Sequence, residues 1–161
     1  MYKMQDLPDG YDFFTGVPDS RLKSFIIEIQ MSGFEHIPAL NEGQAIGIAV
    51  GAELVGMKSC VYLQNSGLGN AINPILSLAD KKVYSIPMLL VIGWRGEPGL
   101  HDEPQHITQG AVTEKMLKTM GIPILKVNKN STSYEITKFM NKINKLSSPM
   151  ALLISRNALE N

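Results

Sequence analysis

A continuous apolar run, Pro87–Gly93, sets the architecture of this 161-residue chain. The run lacks the alternation of apolar and polar residues that marks a strand with one face in water. Parallel strands that are covered by helices on both faces have this near-continuous apolar pattern. We therefore expect residues 87–93 to form a central strand of a parallel sheet, with helices packed above and below it.

The rest of the chain alternates short apolar runs with segments of helical spacing. Helices are predicted from 18 onward and at 42–56, 67–79, 111–119 and 131–146. Strands are predicted at 11–15, 36–40, 59–63, 87–93, 122–127 and 149–154. This alternation predicts an α/β fold, a doubly wound six-stranded parallel sheet with helices on both faces. Pro38 favours an edge position for the second strand, and residues 94–110 are predicted to form a long polar loop.

Composition excludes several classes of protein. Lys plus Arg is 15 and Asp plus Glu is 15, so the formal net charge of zero argues against nucleic acid or a membrane surface as the main partner. The hydrophobic fraction of 44% favours a folded domain, which we place at 1–161. Cys60 is the single cysteine and cannot form an internal disulfide, so we expect a buried thiol in a reducing compartment. With no signal peptide pattern and no long apolar run, the expected location is cytoplasmic.

Four polar loops follow the first four predicted strands, at 16–20, 41–44, 64–70 and 94–106. In parallel α/β sheets, ligands bind beyond the carboxyl ends of the strands, so these loops predict a small-molecule site. Neither common phosphate loop is present, because the Gly-x-Gly at 67–69 lacks its third glycine and no Gly-Lys-Ser/Thr occurs. His101 and His106 lack metal-ligand spacing. An enzyme and a non-catalytic binding module remain open, and a generic nucleotide-binding module is disfavoured.

Glu42 occupies a distinctive position in this pattern. Asn41 is a good N-cap residue, which places Glu42 in the first turn of an otherwise apolar helix. A carboxylate there is stabilised by the helix dipole, and complementation of that dipole is one interpretation of Glu42. The other is contact with a ligand, because the helix begins where a strand of the sheet ends. The residues alone leave both interpretations open.

Four loops together resemble one enzyme family: GVPDS at 16–20, NEGQA at 41–45, QNSGLGN at 64–70 and DEPQHITQG at 102–110. In this order and spacing they are similar to phosphonopyruvate decarboxylase and to the related sulfopyruvate decarboxylase alpha subunit, which are thiamine-diphosphate enzymes. The resemblance covers nearly the whole chain and implies a pyrimidine-binding domain. The Gly-Asp-Gly motif of the family's diphosphate-binding domain is absent from the sequence. The resemblance therefore implies a partner subunit or domain that holds the diphosphate and Mg²⁺, no metal ligand in this chain, and a homo- or hetero-oligomer.

The resemblance also implies roles for individual residues. Glu42 is the glutamate expected to hydrogen-bond N1′ of the aminopyrimidine, and His106 is the candidate for proton transfer or for polarising the substrate carbonyl, with loop packing as its alternative. Further cofactor contacts are implied for Gln64, Asn65, Gly67, Gly69 and Asn70. Asn65 and Asn70 could instead cap the following helix, and Gly67 and Gly69 would allow close backbone approach.

The substrate side of the site is assigned to Asp19, Ser20, Arg95 and Gln105. Asp19 and Ser20 could instead cap a helix. Arg95 is the candidate for a phosphonate or sulfonate because a guanidinium matches a tetrahedral oxyanion, with a solvated loop charge as the alternative. Arg21 is a second candidate. The implied reaction is that of a carboxy-lyase, converting phosphonopyruvate to phosphonoacetaldehyde and CO2. Sulfopyruvate decarboxylation and a non-catalytic, partner-binding remnant of the same fold are the alternatives.

Overall fold

Six parallel strands form a single sheet in the order β2-β1-β3-β4-β6-β5. The structure is a computed structural model and describes residues 10–156 and 158. The strands are β1 (Phe13–Gly16), β2 (Glu35–Pro38), β3 (Ser59–Gln64), β4 (Met88–Gly93), β5 (Ile124–Val127) and β6 (Pro149–Ile154). The predicted doubly wound parallel sheet is therefore confirmed, and β2 lies at an edge, as Pro38 indicated.

Helices cover both faces of this sheet. They are α1 (Lys23–Met31), α2 (Glu42–Leu54), α3 (Leu68–Pro74), α4 (Pro104–Thr119), α5 (Ser133–Met140) and α6 (Ile143–Leu146). Two 3-10 turns, Ser20–Leu22 and Asn65–Gly67, precede α1 and α3, and a π turn at Ile75–Ala79 follows α3. Among the described residues, no helix is both long and apolar enough to cross a membrane.

The core consists of two apolar clusters, one on each side of the sheet. One cluster packs α2, α3 and α4 against the sheet, and the other packs α1, α5 and α6 against its opposite face. All six residues of β4 are buried, as expected for the central strand of such a sandwich. Cys60 is 1% exposed and burial raises the pKa of its thiol, so its predicted role as a small buried residue is confirmed.

Several predicted boundaries were wrong. The loop predicted at 94–110 ends early, because α4 begins at Pro104, and proline is well suited to the first turn of a helix. The second strand ends at Pro38, where its pairing with β1 stops, rather than at residue 40. The helix predicted at 131–146 is divided into α5 and α6, and the fifth strand begins at Ile124 rather than at residue 122.

The topology brings the four polar loops together. The chain leaves β1 toward β2 on one side and then returns across β1 to form β3 on its other side. The direction in which successive strands are added to the sheet therefore reverses beside β1. At such a point a parallel sheet opens a crevice at the carboxyl ends of its strands. The strands β2, β1, β3 and β4 are adjacent in the sheet. The loops that follow them therefore lie side by side at the carboxyl ends of these strands.

Candidate active site

Asn41 caps α2 and leaves Glu42 free for another role. The Asn41 Oδ1 accepts a hydrogen bond of 2.9 Å from the backbone N–H of Gln44, and the Gln44 Oε1 accepts one of 2.7 Å from the backbone N–H of Leu40. The first bond satisfies a donor in the first turn of the helix, and the second ties the residue before the N-cap to the same turn. The carboxylate of Glu42 is thus not needed as a cap, although it lies in the favourable field of the helix dipole.

The Glu42 carboxylate lies instead against the start of α3. Asn70 Nδ2 donates a hydrogen bond of 2.8 Å to Glu42 Oε2. The contact depends on Gly67, because a β-carbon at that position would lie 2.1 Å from Glu42 Oε1. A β-carbon at Gly43 would lie 3.0 Å from the Asn70 carbonyl oxygen, so two glycines let the two helix starts approach. The arrangement holds a partly exposed carboxylate at the edge of the sheet.

Asn65 occupies the interior of the site. It is 2% exposed, and its Nδ2 donates to the Arg95 carbonyl at 2.9 Å and to Thr113 Oγ1 at 2.8 Å. Its Oδ1 accepts a hydrogen bond of 3.0 Å from the Arg95 backbone N–H. Both amide hydrogens of Asn65 are therefore used within the protein. This side chain ties the loop after β3 to the loop after β4 and to α4.

The remaining polar residues of the 64–70 loop are nearer the surface. Gln64 Nε2 donates a hydrogen bond of 2.6 Å to Ser66 Oγ, and both residues are partly exposed. Gly69 is exposed, and a β-carbon built there would meet no atom within 4 Å. Close backbone approach was inferred for both glycines. The Glu42 carboxylate lies against Gly67, whereas the space beside Gly69 is open.

Four charged side chains join the loops after β1 and β4. Arg21 Nη2 pairs with Asp102 Oδ2 at 2.6 Å, and the two side chains are 8% and 6% exposed. Arg95 lies between the two acids, with its Nε 3.8 Å from Asp19 Oδ1 and its Nη1 3.9 Å from Asp102 Oδ1. Arg95 Nη2 also donates to Ser20 Oγ. Asp19 is the N-cap residue of the 3-10 turn Ser20–Leu22, and Ser20 is the first residue of that turn rather than a cap of α1.

The two carboxylates of this cluster have opposite pKa shifts. Burial raises the pKa of Asp19 above its ordinary value, and the nearby Arg95 and Arg21 offset this only in part. Burial also opposes ionisation of Asp102. There, hydrogen bonds from the backbone N–H groups of Gly96 and Glu103, together with Arg21, outweigh burial and hold the pKa well below its ordinary value. Such a divergence between neighbouring acids is typical of sites that move protons.

Close backbone packing holds the segment after β4 against this cluster. A β-carbon at Gly93 would lie 2.0 Å from Asp19 Oδ2, so only glycine leaves room for that carboxylate. Gly96 has a φ of +64°, and a β-carbon there would lie 1.9 Å from the His106 carbonyl oxygen. A β-carbon at Gly110 would meet the Gly96 carbonyl at 1.8 Å. The loop after β4 therefore rests directly on the first turns of α4.

His106 and Gln105 lie in the first turn of α4 rather than in a loop. His106 is partly exposed, Gln105 is exposed, and the His106 backbone N–H donates to the Glu103 carbonyl at 2.9 Å. His101 is exposed, and its carbonyl accepts a hydrogen bond of 2.7 Å from Arg156 Nη1. The predicted substrate-side residues Asp19, Ser20 and Arg95 are thus in mutual contact, whereas Gln105 has no side-chain bond among those described.

Sequence reasoning assigned no role to Asp102, Thr113 or Arg156. Asp102 is the centre of the charged cluster, yet its partner Arg21 is 81 positions away. Thr113 reads as an ordinary polar residue of a helix, and Arg156 as a solvated charge after the last strand. The available signal was the position of Asp102 and Arg156 beyond the carboxyl ends of strands. No group of three or more His, Cys, Asp or Glu among the described residues could hold a metal ion.

Residues 7–118 match the family described as thiamine pyrophosphate enzyme, N-terminal TPP binding domain. The chain is 37% identical over 150 residues to the sulfopyruvate decarboxylase subunit alpha of Methanococcus maripaludis, covering 92% of this chain and 88% of the relative. It is 39% identical over 109 residues to the phosphonopyruvate decarboxylase of Streptomyces viridochromogenes, covering 67% of this chain but 27% of that protein.

Solved structures agree on the fold. The structure of benzoylformate decarboxylase from Polynucleobacter necessarius superposes with a TM-score of 0.73 at 19% identity, covering 100% of this chain and 31% of that one. The chain therefore spans about a third of the length of this structural relative. At that identity, the likeness speaks for the fold alone. Taken with the match over residues 7–118, these relatives show that the chain belongs to the thiamine pyrophosphate enzymes and carries their N-terminal, TPP-binding domain.

Proposed function

We propose that this chain is the pyrimidine-binding subunit or domain of a thiamine-diphosphate-dependent 2-keto acid decarboxylase. The observation that carries the proposal is the Glu42 carboxylate. Asn41 caps the helix in place of Glu42, Asn70 donates a hydrogen bond to the Glu42 carboxylate, and this carboxylate lies against Gly67. A carboxylate oriented in this way suits a ring nitrogen that must share a proton.

The residues at this edge fit the pyrimidine end of the cofactor. Glu42 would bind N1′ of the aminopyrimidine and hold a proton there, while Asn70 fixes the carboxylate and Gln64, Gly67 and Gly69 form the nearby surface. Asn65 supports that surface from within. When bound, thiamine diphosphate supplies a carbon nucleophile for the keto carbon and accepts the electron pair released as CO2 leaves.

The charged cluster fits the substrate side. Burial raises the pKa of Asp19, so this carboxyl keeps a proton to a higher pH than an ordinary aspartate, and its Oδ1 lies 3.8 Å from Arg95 Nε. His106 is the second candidate for moving a proton or polarising the substrate carbonyl. Ser20, Arg95 and Gln105 would orient the substrate, and Asp102 would keep Arg21 and Arg95 in place.

Two substrates suit this site. Phosphonopyruvate would give phosphonoacetaldehyde and CO2, and sulfopyruvate would give the corresponding sulfonate aldehyde and CO2. Both carry a tetrahedral oxyanion that suits an arginine. Relatives of both names match this chain at similar identity, 37% over 150 residues for a sulfopyruvate decarboxylase subunit alpha and 39% over 109 residues for a phosphonopyruvate decarboxylase, so they support both substrates.

The complete site requires a second component. The sequence contains no Gly-Asp-Gly motif for the diphosphate and Mg²⁺, and the relatives covered along most of their length are named as alpha subunits. We propose that a diphosphate-binding subunit or domain supplies these contacts in a homo- or hetero-oligomer, with the cofactor shared between the two. The four loops form the face that would meet it.

The test is CO2 release from phosphonopyruvate and from sulfopyruvate, with Mg²⁺ and thiamine diphosphate, by this chain alone and with a candidate partner that carries Gly-Asp-Gly. We expect activity only in the mixture. Calorimetry of the chain alone should detect weak cofactor binding or none, since the diphosphate and its metal carry most of the directional contacts. Micromolar, Mg²⁺-dependent binding to this chain alone would contradict the divided site. A complex that forms but releases no CO2 from either substrate would favour the non-catalytic remnant.

A further inference from the structure

A basic groove of about 490 Å³ opens beside the charged cluster. We define the basic groove by four cationic and two hydroxyl side chains. These are Arg21, Lys23, Arg95, Arg156, Ser20 and Ser24. No carboxylate lines it. Its residues come from the start of α1 and from the ends of β4 and β6, so the groove lies at the same edge of the sheet as the candidate active site.

Two of the four cations form ion pairs with buried carboxylates, and two do not. Arg21 and Arg95 lie within 4 Å of the buried carboxylates of Asp102 and Asp19. Lys23 and Arg156 have no ion pair among the described residues. The excess positive charge of the basic groove therefore comes from Lys23 and Arg156.

Arg156 is held in position at the rim. Its Nη1 donates a hydrogen bond of 2.7 Å to the His101 carbonyl, and its backbone N–H lies 3.4 Å from Glu97 Oε2. Glu97 is the acid in contact with this residue, and its carboxylate also accepts from the Ser155 hydroxyl. The Glu97 carboxylate thus anchors the Arg156 backbone and does not line the basic groove.

Lys23 is the first residue of α1, which continues directly from the 3-10 turn Ser20–Leu22. The first turn of α1 contains no acidic residue, so the Lys23 ammonium has no carboxylate beside it within that turn. Arg21 indicates an anion site, because its side chain is 8% exposed and lines the basic groove while its Nε has no hydrogen-bond partner among the described atoms. A buried unpaired donor carries a free-energy cost that an oxyanion oxygen would relieve.

We propose that the basic groove binds the terminal tetrahedral oxyanion of the substrate, and that Lys23 and Arg156 select 2-keto acids that carry one. This inference rests on the proposed function and extends it to residues outside the expected site. Arg21 and Arg95 form one side of the basic groove, and their buried carboxylate partners hold them in place. Lys23 and Arg156 provide the positive charge that the substrate oxyanion neutralises. Arginine and lysine together suit a phosphonate or a sulfonate, because both groups present three oxygens.

The kinetic test uses Lys23→Ala, Arg156→Ala and the double variant in the complete enzyme, with Lys115→Ala on the exposed face of α4 as the matched control. We expect the double variant to raise the KM for phosphonopyruvate or sulfopyruvate at least tenfold and to leave kcat within about threefold. The Ki of methylphosphonate or methanesulfonate, which carry the oxyanion without the keto acid, should rise by a similar factor. A double variant that matches the Lys115→Ala control in KM and in both Ki values would overturn the inference.

Binding to the chain alone separates this inference from the proposed function. Titration of isotopically labelled chain with inorganic phosphate, sulfate and methylphosphonate should shift the backbone amides of Lys23, Ser24 and Arg156, and the double variant should lose these shifts. Shifts without decarboxylation by the complete enzyme would support the basic groove while rejecting the proposed activity. Inhibition by inorganic phosphate that is not competitive with the keto acid would identify a separate phosphate site and overturn the assignment to substrate.

Discussion

Gly67 lies directly against the carboxylate of Glu42, so closely that a β-carbon at position 67 would be 2.1 Å from Glu42 Oε1. The backbone at Gly67 has φ −73° and ψ −10°, which any residue can adopt. Glycine is therefore required here by the neighbouring carboxylate and not by the backbone conformation. This relationship allows the orientation of Glu42 to be tested without changing Glu42 itself.

We expect Gly67→Ala to displace the Glu42 side chain and to reduce decarboxylation by the complete enzyme about tenfold or more, because catalysis depends steeply on orientation. The matched control is Gly51→Ala, an exposed glycine within α2, where a β-carbon would meet nothing within 4 Å. Alanine there should leave activity unchanged and stabilise α2 by up to about 1 kcal/mol. Steady-state kinetics and thermal unfolding of both variants check this. Equal activity of the two would show that the position of the Glu42 carboxylate does not matter.

Glu42→Gln should abolish decarboxylation while the fold persists. Asn41 caps the helix, so the free energy of unfolding should change by about 1 kcal/mol or less. The amide can still accept a hydrogen bond from Asn70, but it cannot share a proton with N1′ in the same way. Hydrogen–deuterium exchange at the cofactor C2 in the complete enzyme measures this step directly, and we expect it to fall about 100-fold or more. Exchange within about threefold of the parent would reduce Glu42 to a residue that complements the helix dipole.

The order of elements could be predicted because it depends on local pattern. The apolar run 87–93 indicated a central strand, and Pro38 indicated an edge, because each reports the burial or pairing of its own strand. The start of α4 was missed because residues 94–110 are mostly polar and contain several glycines and prolines, a composition typical of a loop. A proline fits a helix start as readily as a loop, and only the packing of Gly96 against the first turns of α4 decides between them.

The charged cluster could not be predicted for a different reason. Arg21 and Asp102 are 81 positions apart, and nothing in their neighbouring residues indicates that they pair. The loop resemblance identified Asp19 and Ser20, and the chemistry of its guanidinium group identified Arg95, but burial and the opposite pKa shifts of the two acids arise only when the loops meet. The role of Asn65 could not be predicted either, because an asparagine in a polar loop looks the same in sequence whether it contacts a ligand or supports the site.

Asn65→Ala should act mainly on stability. The substitution leaves the N–H and the carbonyl of Arg95 without their partner in a partly buried place, and Thr113 Oγ1 keeps only its bond to the Gln109 carbonyl. Each unsatisfied group costs about 1–3 kcal/mol, so we expect a loss of about 3 kcal/mol in the free energy of unfolding. Ser66→Ala, at a partly exposed position in the same loop, is the control and should cost about 1 kcal/mol or less. Urea denaturation measures both, and equal small losses would mean that Asn65 is not a structural link between the loops.

The opposite pKa shifts of Asp19 and Asp102 predict opposite effects of the two Asp→Asn substitutions. The folded pKa of Asp102 is lowered, so its ionisation stabilises the fold above the unfolded pKa of about 3.9, and this contribution is lost as the pH falls from there toward the folded pKa. Asp102→Asn leaves the buried Arg21 without its charged partner and should cost about 3 kcal/mol at pH 7. The cost should shrink at about pH 3, where the unfolded chain already holds this proton.

Asp19 should behave in the reverse sense. Its folded pKa is raised, so ionisation at neutral pH destabilises the fold, and that penalty disappears as the pH falls through the folded pKa. Asp19→Asn removes a buried charge whose Oδ2 has no hydrogen-bond partner among the described atoms, so stability at pH 7 should stay within about 1 kcal/mol of the parent or rise. Urea denaturation of both variants at the two pH values, with carbon-detected NMR titration of the parent carboxyl groups, tests the pair. An Asp19 that titrates below Asp102 would reverse the assignment, and Asp19 would then be no better a proton carrier than an ordinary buried ion-pair partner.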